Sequence, residues 1–346
     1  MPTSALFQIG VRADLGIGPY DHTNPDLAAS FSLGVLILEQ LNYTSCTLCP
    51  RMCGVDRTAG QRGFCGMPGF PVAARAAAHY WEEPVISGEY GSGAVFFSGC
   101  TLRCKFCQNY EISAQKHGFA LDSARLREIF EGLIAEGCHN INLVTPTHFL
   151  PDILPALEPK LPVPVVYNCG GYERVETLRA LEGKVDVWLP DLKYSDPALA
   201  RVLSAAPDYV ETAKAAITEM YRQTGPCVVE GGLLKKGVLI RHLILPGQVD
   251  NSIGVLEWIA DSFPKGAVLV SLMSQYVPMG PAAKVPPFDR RITRAEYDTV
   301  LSWMYLLGLE NGFLQGPEAA SLEYVPEFDG TGIIQGSGIK DQGSGK

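Results

Sequence analysis

The sequence contains no hydrophobic run long enough to cross a membrane. Its most apolar N-terminal stretch is Leu27–Leu41, which is shorter than the roughly 20 residues that a membrane-spanning helix needs. Two serines and Glu39 interrupt that stretch, so we expect a packed helix that ends near Gln40, and no membrane partner. Residues 1–26 show no clear periodicity and are predicted to be loop, because glycine and proline punctuate them.

An excess of positive charge is also missing. The chain has 28 Lys and Arg residues against 37 Asp and Glu residues, which gives a net charge of −9. A general polyanion binder would carry the opposite balance, so nucleic acid is not an expected partner. A partner that uses one local basic patch stays compatible with this composition.

The marks of a small secreted protein are missing as well. No signal-peptide pattern begins the sequence, and seven of the ten cysteines fall in two tight groups that are typical of metal sites. We therefore expect a reducing, cytoplasmic environment. Hydrophobic residues make up 47% of the 346-residue chain, which is enough for one large α/β domain with an appendage, or for two domains.

One cysteine group directly follows a predicted buried strand. Residues 94–97 form a short apolar run that Ser98 and Gly99 end. Three cysteines with the spacing C-x3-C-x2-C come next: Cys100, Cys104 and Cys107. Thiolates bind iron–sulfur clusters, zinc or Cu(I), and a [4Fe–4S] cluster normally takes four, so three would leave one iron open for chemistry. Buried structural cysteines, or a zinc site that lacks a nearby fourth ligand, are the alternatives.

This loop, with Phe106 before its third cysteine and Asn109 two residues beyond it, resembles the cluster loop of the radical S-adenosylmethionine (SAM) enzymes. It is most similar to the branch of the pyruvate formate-lyase activating enzymes. The resemblance implies that the three cysteines hold a [4Fe–4S] cluster whose open iron binds the amino and carboxylate groups of SAM. It also implies that an electron from the cluster breaks the sulfonium C–S bond and releases a 5′-deoxyadenosyl radical.

A second group of cysteines precedes this loop with the spacing C-x2-C-x3-C-x11-C: Cys46, Cys49, Cys53 and Cys65. Four thiolates at these intervals predict a closed site, either structural zinc or a second [4Fe–4S] cluster, and free thiols are the alternative. Arg51, Arg57 and Arg62 either balance the thiolate charge or lie in solvent. The segment resembles relatives of the activating enzymes that carry such a knuckle ahead of the radical loop. In glycyl-radical activating enzymes with extra clusters, those cysteines follow the loop instead.

Apolar runs alternate with helical patterns from Ala94 onward. Strands are predicted at 94–99, 141–145, 163–168, 185–190, 237–245 and 267–273. Helices are predicted near 122–136, 148–158, 172–182, 196–222 and 252–263. The alternation indicates βαβ units and a parallel sheet covered on both faces. Six strands are too few for a closed eight-stranded barrel, and the resemblance implies a partial (β/α)6 barrel with the cofactor at the carboxyl ends of the strands.

The predicted organisation is α/β in five parts. They are an irregular or helical segment at 1–43, a four-cysteine metal knuckle at 44–90, the radical SAM partial barrel at 91–280, a helical or irregular extension at 281–335, and a flexible tail at 336–346. The tail is rich in glycine and serine. Thr293 and Glu296 have the spacing of a capping box, which predicts a helix near 293–307 that ends before Gly308.

Polar residues at the strand ends are the candidate cofactor contacts. Thr147 and His148 follow the second predicted strand, where the family carries an acidic motif for the methionine amino group. His148 alternatively caps the next helix. Asn168 follows the third strand, ahead of glycines that let a ligand approach the backbone. Cys169 is expected to be a small buried residue or a thiol near the radical site.

Asp191-Leu192-Lys193 matches the activating enzymes residue for residue. Residues two apart on a strand point the same way, and the resemblance assigns Asp191 to the SAM ammonium and Lys193 to its carboxylate. A structural ion pair is the alternative. Arg241, on the fifth strand, resembles an arginine of the family and offers donors for a carboxylate or a ribose. His242 alternates to the other face and is expected to be structural.

Two further places give weaker signals. The run Ser274-Gln275-Tyr276 replaces one that carries a cofactor-binding histidine in the family, so Gln275 and Tyr276 are weak candidates for that contact. Glu82 and Glu83, close to His79 in the sequence, are expected to form a solvated face and not an acid–base pair.

The resemblance covers roughly residues 44–280 and implies a radical SAM oxidoreductase. It would abstract a hydrogen atom from a protein, a peptide or a small molecule, with electrons from a flavodoxin- or ferredoxin-type donor. The alternatives are a peptide- or cofactor-modifying radical enzyme with an auxiliary cluster, an iron–sulfur electron carrier without catalysis, and a zinc-based adaptor. A carrier has no need for Asp191, Lys193 and Arg241 around a cavity.

Overall fold

The computed structural model describes residues 6–9, 41–316 and 325–334, with the backbone alone for residues 6–9. The helix expected up to about Gln40 and the tail expected at 336–346 lie outside the described residues. Within them, no helix combines the length and the apolar character that a membrane span requires.

The described strands and helices alternate over most of the chain. The strands are β1 (Leu6–Ile9), β2 (Val72–His79), β3 (Ser92–Phe97), β4 (Phe119–Ala120), β5 (Ile141–Val144), β6 (Val165–Cys169), β7 (Val187–Pro190), β8 (Val228–Glu230), β9 (Leu233–Leu243), β10 (Leu269–Met273) and β11 (Gly312–Gln315). The helices are α1 (Pro84–Ser87), α2 (Tyr110–Ser113), α3 (Ser123–Ala135), α4 (Leu150–Ala156), α5 (Val175–Arg179), α6 (Pro197–Ser204), α7 (Tyr209–Thr224), α8 (Val249–Ser262) and α9 (Arg294–Leu306).

One open sheet runs through the described part of the chain. Its order is β1-β11-β10-β9-β7-β6-β5-β3-β2-β4, with β8 paired to β9. Neighbours from β3 to β11 pair in parallel, whereas β1, β2, β4 and β8 pair antiparallel. Every residue of β3, β5, β6, β7 and β10 is buried, as expected for parallel strands covered on both faces. The fold is the partial barrel that the sequence predicted, with an added parallel strand, β11.

Of the other predictions of secondary structure, one is confirmed and several differ from the structure. The capping box of α9 is confirmed, because Thr293 and Glu296 exchange both hydrogen bonds. The single helix expected at 196–222 is wrong: α6 ends where Ala205 adopts a left-handed conformation with φ of 49°, and α7 starts anew. The loop expected for residues 1–26 contains β1. Strands β2 and β11 lie in segments expected to be a metal knuckle and a helical or irregular extension.

The short helix α1 fills the amino-terminal end of the barrel. Val85 and Ile86 of this helix are buried with the inward side chains of the parallel strands, among them Val166, Leu239 and Phe313. Their contact closes the barrel at the end opposite the cysteine loop. Residues immediately before α1 are therefore held inside the barrel.

Residues 325–334 lie along the outer edge of the sheet. The amide of Gly330 donates to the carbonyl oxygen of Ala74 on β2, at 3.0 Å, and the amide of Ala76 donates to the carbonyl oxygen of Thr331, at 2.8 Å. The ring of Phe328 packs edge-on against Phe96, with centroids 5.6 Å apart. This segment thus covers part of the open edge and carries Val325 to the site described next.

Candidate active site

A cavity of about 230 Å³ lies at the carboxyl ends of the parallel strands. The cysteine loop after β3 forms one side of it, and charged side chains from β7 and β9 form another. Its lining includes all three cysteines of the loop, and Asn168, Asp191, Lys193 and Arg241. Four of the six cofactor residues predicted from the sequence are thus brought together beside the loop.

The cysteine loop begins with a tight turn at Gly99. Gly99 adopts φ of 79°, and a Cβ atom there would come within 2.4 Å of Met67, so the turn requires glycine. The amide of Leu102 donates to the Cys100 sulfur at 3.3 Å, and the Ser204 hydroxyl lies 3.0 Å from the Cys104 sulfur. Hydrogen bonds of this kind stabilise thiolates, the form in which cysteine binds metals.

The three thiols of the loop lie close enough together to influence one another's ionisation. Burial and the neighbouring Cys104 raise the pKa of Cys100 to about 12. Burial and Cys104 also raise the pKa of Cys107. Since a bound metal displaces such protons, the soft, convergent donor set fits an iron–sulfur cluster. Within the described part of the chain, however, no group of three or more His, Cys, Asp or Glu side chains is arranged closely enough to hold a single metal ion.

A row of four alternating charges runs along the cavity wall. The Lys193 Nζ lies 2.5 Å from the Asp191 Oδ2, and the Arg241 Nε lies 2.9 Å from the Asp191 Oδ1. The Arg241 Nη1 continues the row to the Glu82 Oε2 at 3.0 Å. Strand register creates this arrangement, because Asp191 and Arg241 form a parallel bridge just beyond β7.

Burial and charge act against each other on this row. Burial alone would raise the pKa of Asp191, but Lys193 and Arg241 outweigh it and hold that pKa below its usual value. Burial alone would lower the pKa of Lys193, yet Asp191 and the cysteines Cys104 and Cys107 raise it. The carboxylate and the ammonium are thus charged at neutral pH, and Lys193 joins the row to the cysteine loop.

Tyr209 fixes the strand ends that carry these charges. Its hydroxyl oxygen accepts from the Lys193 amide at 2.9 Å and lies 2.9 Å from the carbonyl oxygens of Gly170 and Asp191. A Cβ atom on Gly171 would approach the carbonyl oxygen of Asp191 to 2.3 Å. No sequence pattern pointed to Tyr209, since it enters from the helix α7.

Thr147 and His148, predicted as cofactor contacts, do not line the cavity. The Thr147 hydroxyl donates to Glu173 at 2.9 Å and accepts from the Tyr167 hydroxyl at 3.0 Å. The His148 Nε2 pairs with the carbonyl oxygen of Ser98 at 2.7 Å, and burial lowers its pKa to about 3. His148 thus lies against Ser98 at the start of the cysteine loop, and Thr147 is held by Glu173 and Tyr167.

The solvated face expected for Glu82 and Glu83 is wrong. Glu82 faces the cavity and bonds Arg241, and Glu83 is 3% exposed. Burial raises the pKa of Glu83, against the nearby Arg241 that lowers it. His79 also lines the cavity, where burial, together with Arg75 and Arg241, lowers its pKa to about 4. The sequence analysis named these residues but did not assign them to the site, because they precede the first predicted barrel strand.

Of the residues that gave weaker sequence signals, some line the cavity and others are held by structural contacts. Gln275 and Cys169 line the cavity, whereas the Tyr276 hydroxyl donates to the carbonyl oxygen of Phe288 at 2.7 Å. His242 is buried, with its two ring nitrogens 2.7 Å from the carbonyl oxygen of Leu192 and 2.9 Å from the Ser252 hydroxyl. That placement agrees with the structural role expected for His242.

The four cysteines of the second group lie in a compact module, residues 46–67, that packs beside the cysteine loop. The amide of Phe64 donates to the Cys53 sulfur at 3.3 Å, and the Arg57 Nη1 lies 3.7 Å from the Cys46 sulfur. Burial raises the pKa values of Cys49 and Cys65. Four thiols with donors of this kind suit zinc or a second cluster alike.

Arginines join this module to the barrel. Arg57 is 2% exposed and donates to the carbonyl oxygens of Pro68 and His148. Arg51 donates to the carbonyl oxygens of Thr101, at 2.8 Å, and Ser204, at 2.9 Å. Both arginines therefore have structural partners, and neither is left in solvent.

The open parallel barrel, with a loop of three cysteines beside a charged cavity, is the arrangement that the sequence resemblance implies for radical SAM proteins. The radical SAM superfamily matches residues 94–259 of the chain. An uncharacterised protein of Methanocaldococcus jannaschii is 30% identical over 273 residues, which cover 75% of this chain and 74% of that protein. The chain belongs to the radical SAM superfamily, whose enzymes use a [4Fe–4S] cluster and SAM.

Solved structures that resemble this chain are more distant. Methylornithine synthase (PylB) has a TM-score of 0.44 and 16% identity, over 79% of this chain and 76% of that one. SuiB of Streptococcus suis, solved with SAM bound, has a TM-score of 0.43 and 14% identity, over 63% of this chain. The chain spans about half the length of SuiB, since the match covers 48% of it.

Proposed function

We propose that this protein cleaves SAM reductively beside Cys100, Cys104 and Cys107 and abstracts a hydrogen atom from a substrate in the same cavity. The observation that carries the proposal is the row of alternating charges from Lys193 to Glu82, which begins next to the cysteine loop. A protein that only relays electrons needs no buried charged cavity. The cluster, when bound, supplies the electron that breaks the C–S bond.

The chain's own residues would bind and orient the cofactor. Lys193 suits the SAM carboxylate and Asp191 suits its ammonium group, because each ligand group can join the existing ion pair. Arg241 has five N–H donors and suits a carboxylate or a ribose. Asn168, on the same wall, bonds Arg241 at 2.5 Å and would fix the direction in which the guanidinium presents its donors.

The remaining lining excludes water from the site. Phe96, Leu102, Phe106, Met273 and Val325 contribute apolar surface to the cavity. Exclusion of water strengthens the ionic contacts and protects a reactive radical from side reactions. Val325 belongs to the segment that covers the open sheet edge, so that segment would complete the enclosure.

For the substrate, we propose an activase-like hydrogen abstraction on a protein, a peptide or a small molecule. The cysteine module precedes the loop in sequence and packs against it through Arg51, which supports a second candidate: a peptide- or cofactor-modifying enzyme in which the module holds an auxiliary cluster. A structural zinc ion in the module fits the first candidate equally well.

We further propose that an acidic flavodoxin- or ferredoxin-type protein supplies the electron. Although the chain is acidic as a whole, exposed cations surround the cysteine loop. They are Arg103, Lys105 and Lys116. Contacts hold each of them near the loop: Arg103 donates to the carbonyl oxygen of Phe64 at 2.9 Å, the Lys105 amide donates to the carbonyl oxygen of Leu203, and Lys116 lies against Gly66. Complementary charge speeds the encounter of such partners.

Isotope transfer tests the hydrogen abstraction. Anaerobically prepared, reduced protein would be mixed with SAM and with an extract of cells that carry this gene and were grown on deuterated medium. We expect deuterium in the 5′-deoxyadenosine that forms, because the radical takes its hydrogen from the substrate. The Lys236→Ala variant, altered at an exposed site on β9, should behave as wild type, and Lys193→Ala should not. Undeuterated 5′-deoxyadenosine from the wild type would contradict abstraction from a substrate.

A further inference from the structure

Glu82 enters the cavity from outside the segment that defines the family. It stands between β2 and α1, ahead of the matched residues 94–259. Its side chain is 9% exposed, yet it lines the cavity at the far end of the charged row from the cysteines. The carboxylate is thus supplied by an antiparallel appendage and not by a strand of the barrel.

Both oxygens of this carboxylate are engaged. The Oε2 accepts from the Arg241 Nη1 at 3.0 Å. The Oε1 accepts from the Asn168 Nδ2 at 3.0 Å and from the Asn142 Nδ2 at 3.1 Å. Arg241 and Asn168 bond each other as well, so Glu82, Arg241 and Asn168 form a closed ring of hydrogen bonds. A ring of this kind holds each member in a single rotamer.

The helix α1, which fills the amino-terminal end of the barrel, fixes the backbone of Glu82. Its amide donates to the Ser87 hydroxyl at 3.1 Å, and that hydroxyl donates to the carbonyl oxygen of His79 at 3.2 Å. The carbonyl oxygen of Ile86 accepts from the Asn140 side chain at 2.7 Å. Helix α1 thereby sets the position of the Glu82 carboxylate inside the barrel.

We propose that Glu82 is the positioning residue of the cofactor site and that it acts through Arg241. This inference rests on the proposed function. With Glu82 in place, Arg241 divides its donors between two carboxylates on opposite sides. Without that charge, Asp191 is the one carboxylate among the described residues that still bonds the guanidinium. Arg241 then competes with Lys193 for Asp191, because a buried charge without its partner is costly. Asp191 and Lys193 would then be less available to a zwitterionic ligand.

The test is a double-mutant cycle with SAM affinity as the readout. Equilibrium binding of SAM would be measured on anaerobically prepared protein of equal iron content for wild type, Glu82→Gln, Arg241→Gln and the double variant. We expect Glu82→Gln to weaken SAM binding about tenfold or more, and to weaken it no further when Arg241 is already replaced. In turnover, its KM for SAM should change more than its kcat. Glu89→Gln, an exposed site in the same segment, should bind SAM as wild type does.

Each outcome decides the matter. Unchanged affinity in Glu82→Gln, or effects of the two substitutions that multiply in the double variant, would overturn the inference. Ser87→Ala, which frees the Glu82 amide, provides a second variant in case Glu82→Gln does not fold; it should weaken SAM binding in the same direction, and an unchanged affinity would overturn the inference. Wild-type protein with a full cluster that fails to bind SAM would instead refute the proposed function.

Discussion

Arg51 of the cysteine module donates from its Nε to the carbonyl oxygen of Thr101, 2.8 Å away, immediately after Cys100. The same guanidinium reaches the carbonyl oxygens of Ser204 and Ala205 at the end of α6. It also stacks on the ring of Phe64, 3.8 Å from its centroid. One side chain therefore joins the module, the cysteine loop and a helix of the barrel.

Removal of this contact should loosen the cysteine loop. We expect Arg51→Ala to lose about 1–3 kcal/mol of stability, the cost of leaving hydrogen-bonding groups unpaired, and to release iron faster than wild type. Thermal unfolding and the iron content after timed dilution would measure both effects. Arg62→Ala is the matched control, because Arg62 is exposed and donates to the carbonyl oxygen of its neighbour Gln61. Equal iron retention in the two variants would show that Arg51 does not support the loop.

The cysteine module should owe its stability to a metal. A variant with Cys46, Cys49, Cys53 and Cys65 all replaced by Ala should lose one metal centre and about several kcal/mol of stability, because metal binding becomes folding energy where no site exists in the unfolded chain. Metal analysis identifies zinc or iron with sulfide, and calorimetry measures the stability. A variant that keeps its metal content and unfolds at the wild-type temperature would contradict the assignment.

Lys193 should contribute to SAM binding and not to cluster binding. Lys193→Ala removes the charge between Asp191 and the cysteine loop, so SAM affinity should fall by about one to three kcal/mol, the scale of a charged hydrogen bond. Iron and sulfide content should stay at the wild-type value, since no cysteine changes. Titration of SAM into anaerobic protein checks this, with Lys236→Ala as control. Loss of the cluster in Lys193→Ala would assign the residue to the loop instead.

Glu173 should make the protein less stable as pH rises. Burial raises its pKa to about 8, although the Thr147 hydroxyl donates to it. The unfolded chain ionises this carboxyl near its ordinary value of 4.5, so stability falls between about pH 4.5 and 8 and then levels off. Glu173→Gln removes that dependence. The variant should gain on the order of a few kcal/mol over wild type at pH 8 and little at pH 5. If the unfolding temperatures of wild type and Glu173→Gln change with pH in parallel, the pKa of Glu173 is not raised in the folded protein.

Local pattern was enough to place the charged pair of the site. Asp191 and Lys193 were predicted to point the same way from one strand end, and their charged groups lie 2.5 Å apart. Arg241 joins them because β7 and β9 are neighbours in a parallel sheet, a relationship that strand alternation predicts. The cysteine loop and its three thiols were likewise predicted from residues that are close together in the sequence.

Other parts depend on contacts that the sequence does not display. The strand β2, VAARAAAH, is rich in alanine, which favours helix, and pairing with β3 overrides that preference. Strand β11 has four residues, too few to show a period. Thr147 was expected beside the cofactor, but Tyr167 and Glu173 hold its hydroxyl elsewhere. Glu82 reaches the site only because α1 fills the barrel.

The central claim is that this chain cleaves SAM at the cysteine loop. The most direct measurement is the 5′-deoxyadenosine formed from SAM by anaerobic protein reduced with dithionite, in the absence of substrate. We expect slow formation by the wild type, and none by the variant in which Cys100, Cys104 and Cys107 are all Ala, with only the metal of the cysteine module left. Wild-type protein that holds an intact cluster but neither binds nor cleaves SAM would contradict the account and leave an electron carrier in its place.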